Sequence, residues 1–311
     1  MRKLLRTLFA AVIVAAAVCL CGCSVSYTNY LYQDSDKYTA GDREISDKIE
    51  TINIDYLSGK VKLTGTDSET VKIRETANET LDDDRKVHTW VSGTTLYVRY
   101  CASAKRLDLY KLEKTLEIDI PENVKLSELK IEISSGDADC SKFEAKSVEM
   151  KASSGDLFAS CKAETIEMKA SSGDITLTQT GESDKISLET SSGSITVLTE
   201  KVGKLDVESS SGKISVASDG AKVFKSHSSS GKGEFKFAEV PETAEMEASS
   251  GDITVYLPED ANVTAEFDVS SGDITYELPF SKSGGKYVSG DGSRKLTVET
   301  SSGDITVKKL Q

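Results

Sequence analysis

One tripeptide recurs along this chain at an almost constant interval. With the second serine of each Ser-Ser-Gly as marker, copies fall at Ser135, Ser154, Ser172, Ser192, Ser211, Ser230, Ser250, Ser271 and Ser302. Glycine follows each marker: Gly136, Gly155, Gly173, Gly193, Gly212, Gly231, Gly251, Gly272 and Gly303. Successive markers are 19, 18, 20, 19, 19, 20, 21 and 31 residues apart, and the long last step holds the Gly-rich insertion FSKSGGKYVSGDGS. A weaker copy, INIDYLSGKVKL, places a tenth marker at Ser58, 77 residues before Ser135. Self-similarity at a fixed period of about 20 residues is the signature of a repeat architecture.

Around each marker the apolar residues alternate with a strand's period of two. Ile166 and Met168, Ile186 and Leu188, and Leu205 and Val207 stand six and four residues before it. Ile175 and Leu177, Ile195 and Val197, and Ile253 and Val255 stand three and five residues after it. Lys, Glu, Thr and Ser fill the positions between. Two residues before the marker the side chain is mostly small: Ala152, Ala170, Thr190, Ser209, Ser228, Ala248, Thr300. Each unit reads as a strand, a tight glycine corner, a second strand and a variable polar loop.

One such unit buries too little to stand alone, whereas stacked copies share backbone ladders on both sides. Residues 116–311 are therefore expected to form an all-β fold, a parallel β-solenoid with two strands per rung joined by the SSGD corner. Nine rungs at ~4.8 Å give a length of roughly 45 Å. An antiparallel hairpin sandwich is the rival, but it has no need for like residues in register at one corner. Residues 48–115 are less regular and are expected to supply irregular N-terminal rungs and a cap. Residues 23–47, polar and Tyr-rich without a period, are expected to be a tether.

The first residues bear on the compartment. Arg2, Lys3 and Arg6 precede an unbroken apolar run from Leu8 to Leu20. That run is shorter than the roughly 20 residues needed to cross a bilayer, so residues 1–22 read as a signal peptide. Leu20-Cys21-Gly22-Cys23 looks like a bacterial lipobox, with Cys23 as the acylated residue. Removing residues 1–22 takes three of the 38 basic residues and none of the 51 acidic ones, leaving 35 against 51 and a net charge of −16. Such a surface repels nucleic acid and anionic headgroups. Membrane association is then expected through the N-terminal lipid.

Chemistry is sparse. Ser-based hydrolysis needs a base beside one activated serine, and nine equivalent serines share two histidines, His88 and His227. The reading is a structural corner, with the second serine turned inward and bonding along the stack. After the glycine come Asp137, Asp156, Asp174, Ser194, Lys213, Lys232, Asp252, Asp273 and Asp304. Stacked carboxylates suit a calcium-stabilised module, but the column changes charge in its middle. An Asp beside Gly also bonds backbone N–H groups at turns. Cys140 and Cys161 are inward by parity and read as small core residues. No spacing suggests a metal site or a phosphate loop, and no cofactor is expected. A carbohydrate-active β-helix enzyme would need aromatic platforms on the rungs, whereas eight of the eleven tyrosines crowd into residues 27–110.

KYTAGD (Lys37–Asp42), IDYLSGKVKL (Ile54–Leu63), the xSSGDIxV array and the closing YVSGDGSRKLTVETSSGDITV (Tyr287–Val307) carry a resemblance. The chain resembles a bacterial family of adhesin-like β-strand-repeat domains of unknown function, in a lipoprotein form. That resemblance implies a β-solenoid in the cell envelope and brings no catalytic residues. The function expected is a non-enzymatic, lipid-anchored, extracytoplasmic module that meets an unknown envelope or surface ligand. Ser194, Lys213 and Lys232, where the corner column changes charge, are the positions expected to take part in recognition.

Overall fold

The computed structural model describes residues 29–106 and 112–311. The signal peptide of residues 1–22, Cys23 and the first part of the expected tether lie outside the described residues. Among those described, no helix is long and apolar enough to cross a membrane.

The chain is a parallel β-solenoid. Ser58 pairs with Ser135, and then Ser154, Ser172, Ser192, Ser211, Ser230 and Ser250 stack in register. Like residues stack on like: Ile166 on Ile186 and Leu205, Met168 on Leu188 and Val207. Their side chains are closed off from solvent and form one continuous core along the axis. The alternation predicts this, because every second side chain of an extended strand points to the same face.

In the units from Ser135 to Ser230 the variable loop differs from expectation, whereas residues 238–242 and 258–262 remain loops between strands. Strands run unbroken from one corner to the next, over Leu157–Ser172, Ile175–Ser192, Ile195–Ser211 and Ile214–Ser230. Segments without an apolar pattern still pair, as Glu182 does with Lys201 and Lys201 with Gly220. Parallel stacking makes its hydrogen bonds through the backbone, so polar side chains do not interrupt it. In the earlier rungs register shifts lie in this stretch, between Ser141 and Phe143, Cys161 and Thr165, and Gln179 and Glu182. Such bulges bend a strand.

Both ends of the ladder depart from sequence order. At the C-terminal end Ser250 pairs with Ser302, and Ser302 pairs in turn with Ser271. The last rung, Arg294–Ser302 with Ile305–Lys309, thus lies between its two predecessors. The 31-residue step is the return path: a hairpin of Ser281–Ser283 and Lys286–Ser289 packs antiparallel on Val263–Ser271 and leads the chain back inside. The N-terminal end mirrors this. Thr51–Thr66 pairs on one side with Lys125–Ser154 and on the other with Thr95–Arg99 and Lys114–Pro121. The first complete rung therefore also sits one place inside its end.

Antiparallel strands close the N-terminal edge. Val71–Ala77 pairs with Lys114–Pro121, and His88–Ser92 pairs with Thr95–Arg99. Arg43–Ile45 and Thr39–Ala40 add to these. From Asn29 onward the expected tether is thus folded onto the cap. Asn29–Tyr30 pairs with Lys105–Arg106, Tyr30 is buried, and its hydroxyl donates to the Asp55 carbonyl at 2.8 Å. Its tyrosines supply the apolar contact that its lack of period conceals.

Candidate functional site

The corner is the feature repeated most faithfully. Each glycine has a φ between 122° and 153°, from Gly155 to Gly193, a region that L side chains rarely adopt. A Cβ there would also fall on the carbonyl oxygen of the glycine in the neighbouring rung. Conformation and close stacking both demand glycine.

The serines do not behave as expected. In the SSG rungs both serines of each pair are exposed, so the second serine is not turned into the stack. The buried hydroxyl comes from two residues before the marker. Thr190 donates to the Gly173 carbonyl at 3.1 Å, Ser209 to Gly193 at 3.2 Å, and Thr300 to Gly251 at 3.1 Å. Parity explains the correction: this position shares the inward face with the apolar residues before it, and the chain turns after it. The small-residue column is therefore both packing and inter-rung bonding.

The acids bond the backbone, but across rungs. Asp137 Oδ1 accepts from the Asp156 N–H at 3.1 Å, Asp156 from Asp174 at 2.8 Å, and Asp174 from Ser194 at 2.7 Å. Asp252 accepts from Asp304 at 3.2 Å and Asp304 from Asp273 at 2.9 Å. Among the described residues no cluster of three or more His, Cys, Asp or Glu is arranged to hold a metal ion. Where the column changes sign, its lysines are matched: Lys213 reaches Glu234 at 2.7 Å and Lys232 reaches Asp252 at 3.0 Å.

On the other flank of the corner lies a concave groove of roughly 420 Å³. Its floor is a column of charged residues from five consecutive rungs: Asp55, Glu132, Lys151, Lys169 and Glu189. Ser134, Ser153, Ser171 and Ser191 form its wall. Lys151 lies 2.5 Å from Glu149, and Lys169 lies between Glu167 and Glu189 at 3.1 and 3.4 Å. Burial raises the Asp55 carboxyl above the usual range, with Arg99 pulling it down and Glu132 pushing it up. Sequence reasoning passed over this groove, although its residues all stand one to three places before a marker.

It also passed over a buried ion pair in the N-terminal cap. Lys114 Nζ lies 2.7 Å from Glu75 Oε1 and donates to the carbonyls of Arg85 at 2.8 Å and Tyr100 at 2.5 Å. Glu75 also accepts from the Tyr56 hydroxyl at 2.9 Å and the Val87 N–H at 2.8 Å. Burial pulls the Lys114 ammonium below the usual lysine range, against the opposing pull of Glu75. The signal was present: Lys114 shares inward parity with Leu116, Ile118 and Ile120.

The remaining reactive groups serve the structure. Cys140 and Cys161 are buried, and burial raises both thiols, Cys161 to about 12. His88 Nδ1 lies 2.9 Å from the Lys86 carbonyl, and His227 faces Glu247 on the next rung at 3.5 Å.

This architecture has solved relatives of low identity. A candidate adhesin from Parabacteroides distasonis is 13% identical, with a TM-score of 0.50, covering 88% of this chain and 97% of that one. A candidate adhesin from Parabacteroides merdae, 13% identical, has a TM-score of 0.44 over 88% of this chain and 97% of that one. A candidate lipid-binding protein from P. distasonis, 17% identical, has a TM-score of 0.43 with the same coverage. At such identities the likeness concerns the fold alone. No curated protein matches the chain in sequence. The stacked corners and their N-terminal cap coincide with residues 49–308, which match the family model described as Toastrack DUF4097, and the chain belongs to that family of unknown function.

Proposed function

We propose that the protein is a non-enzymatic, adhesin-like β-solenoid of the cell envelope, anchored outside the cytoplasm through lipidated Cys23. The observation that carries this reading is the groove. It offers charged side chains and exposed hydroxyls in register over five rungs, a surface suited to a long polar ligand rather than to one reacting bond. The adhesin name given to the P. distasonis structure agrees with it. On the opposite flank, the Ser194, Lys213 and Lys232 column extends the recognition face. The test is a pull-down with isolated wall polymers and envelope proteins. A saturable partner, weakened by Lys151→Ala with Lys169→Ala, is expected; finding none overturns the reading.

A second reading rests on Asp55, whose raised carboxyl stands beside Glu132 in the groove. That pairing suits a carbohydrate-active enzyme, in which one carboxyl stays protonated as an acid. Release of reducing sugar from envelope glycans, abolished by Asp55→Asn, would establish it.

A further inference from the structure

The outward faces of the rungs carry Lys, Glu, Ser and Thr almost throughout, but one stretch of the N-terminal cap does not. In Thr95–Arg99 the buried residues are Leu96 and Val98, which leaves Tyr97 facing outward. Tyr97 pairs across the sheet with Trp90, and their rings stack 5.3 Å apart at 20°. Tyr38 continues the row, 5.6 Å from Trp90, and Tyr32 follows at 4.8 Å from Tyr38. All four side chains are partly exposed, and Leu31 beside them is 69% exposed. The same outward column on the next rungs reads Asn53, Lys130, Glu149 and Glu167.

This row differs from the aromatic cluster at the other end. There Phe267, Phe280 and Tyr287 pack on one another over the end of the core, with ring centroids 4.9 to 6.1 Å apart. They plug the solenoid. In the N-terminal row only Tyr32 packs against the core, which Tyr56 and Tyr100 already fill beneath it; Tyr38, Trp90 and Tyr97 lie outside it.

Its position in the chain names the occupant. The row begins two residues after Tyr30, and Cys23 stands six residues before Asn29. Fully extended, six residues span at most roughly 20 Å, so an acylated Cys23 would hold this face against the bilayer. Tyr and Trp favour the headgroup level, where a ring can be half apolar and half wet. Lys37 over Trp90 at 4.9 Å and Arg99 over Tyr97 at 5.4 Å set cations on the same face of a strongly acidic chain.

We infer that Leu31, Tyr32, Tyr38, Trp90 and Tyr97 form a lipid-facing collar that seats the N-terminal cap on the membrane surface, an inference that rests on the lipid anchor proposed above. The solenoid then stands on its N-terminal end, with the groove raised above the headgroups. Trp90 is the chain's single tryptophan and reports on the contact directly. The mature lipidated protein is reconstituted on phosphatidylcholine vesicles, with or without bromine on the acyl chains, and recovered by flotation. Brominated lipid is expected to lower Trp90 emission, because the indole would sit at the headgroup level. Leu31→Asp, at an exposed position, should restore emission while flotation persists. Flotation with unchanged emission overturns the collar and leaves the anchor standing. Failure of the protein to float overturns the anchor, and the collar with it.

Discussion

Lys114 Nζ and Glu75 Oε1 lie 2.7 Å apart where neither side chain meets more than a trace of solvent. Around them converge the Arg85 carbonyl, the Val87 N–H and the rings of Tyr56 and Tyr100. Removing one member of a buried pair leaves the other charged and unmatched, at a cost of about 3–5 kcal/mol. Lys114→Met should therefore lower the thermal midpoint strongly, whereas Lys114→Met with Glu75→Leu should recover much of the loss. Calorimetry on both variants decides this; equal losses would show that packing, not charge, sets the cost.

The same cap should fail at high pH. Burial raises the phenols of Tyr30 and Tyr56, and raises Tyr100 to about 12. A folded-state pKa above the unfolded value of about 10 means that the folded protein holds more protons above that pH. Stability is thus full below pH 10 and falls as pH rises from there to about 12. Tyrosinate absorbance should rise in two steps, exposed rings first and the cap tyrosines with unfolding. A single step near pH 10 would contradict the burial.

Corner glycines should be far less tolerant than other glycines. Gly193→Ala forces a φ of 153° on alanine and places a methyl on the Gly173 carbonyl. Backbone strain alone costs on the order of 1–3 kcal/mol, and the clash adds to it. Gly284, with φ 58° and open space around it, is the control; Gly284→Ala should cost only about 1–2 kcal/mol. Urea midpoints of the two variants make the comparison.

Exposed and buried hydroxyls of one corner should separate cleanly. Ser192→Ala and Ser211→Ala should lie within about 0.5 kcal/mol of wild type. Ser209→Ala loses the bond to the Gly193 carbonyl and should cost about 1 kcal/mol. The reverse order would restore the inward second serine.

Calcium should not matter to the corner column. The Asp137, Asp156 and Asp174 carboxylates already accept N–H groups of the next rung. Chelation should leave the thermal midpoint where it was, while Asp174→Ala should cost about 1–2 kcal/mol through the lost acceptor. A rise in the midpoint on adding calcium would argue for a metal site.

The regular rungs were legible because their evidence is local: a period near 19, alternation at fixed offsets and a glycine at each turn. Direction at the corner was not, since Ser191 and Ser192 look alike in sequence and only the turn decides which face each meets. Lys114 was readable by parity but hidden among the charges of LEKTLEIDIP. The groove needed the rungs assembled, because Asp55 and Glu132 are 77 residues apart in the chain yet adjacent in the ladder. Partner order at the two ends was beyond any periodic argument. The Ser302 copy fits beside Ser250 as well as beside Ser271 by sequence, and the structure uses both sides.

That inward placing of the first and last rungs has a mechanical meaning. Tension entering through the N-terminus would first strip Asn29–Tyr30, Thr39–Ala40 and Arg43–Ile45, each paired along one edge, and then meet Thr51–Thr66, which is bonded along both of its edges. Tension at the C-terminus would load Ile305–Lys309 and then Arg294–Ser302, both held in the same way. An outermost coil could be peeled away one bond at a time. Here two rows of bonds must shear together before either end of the ladder yields.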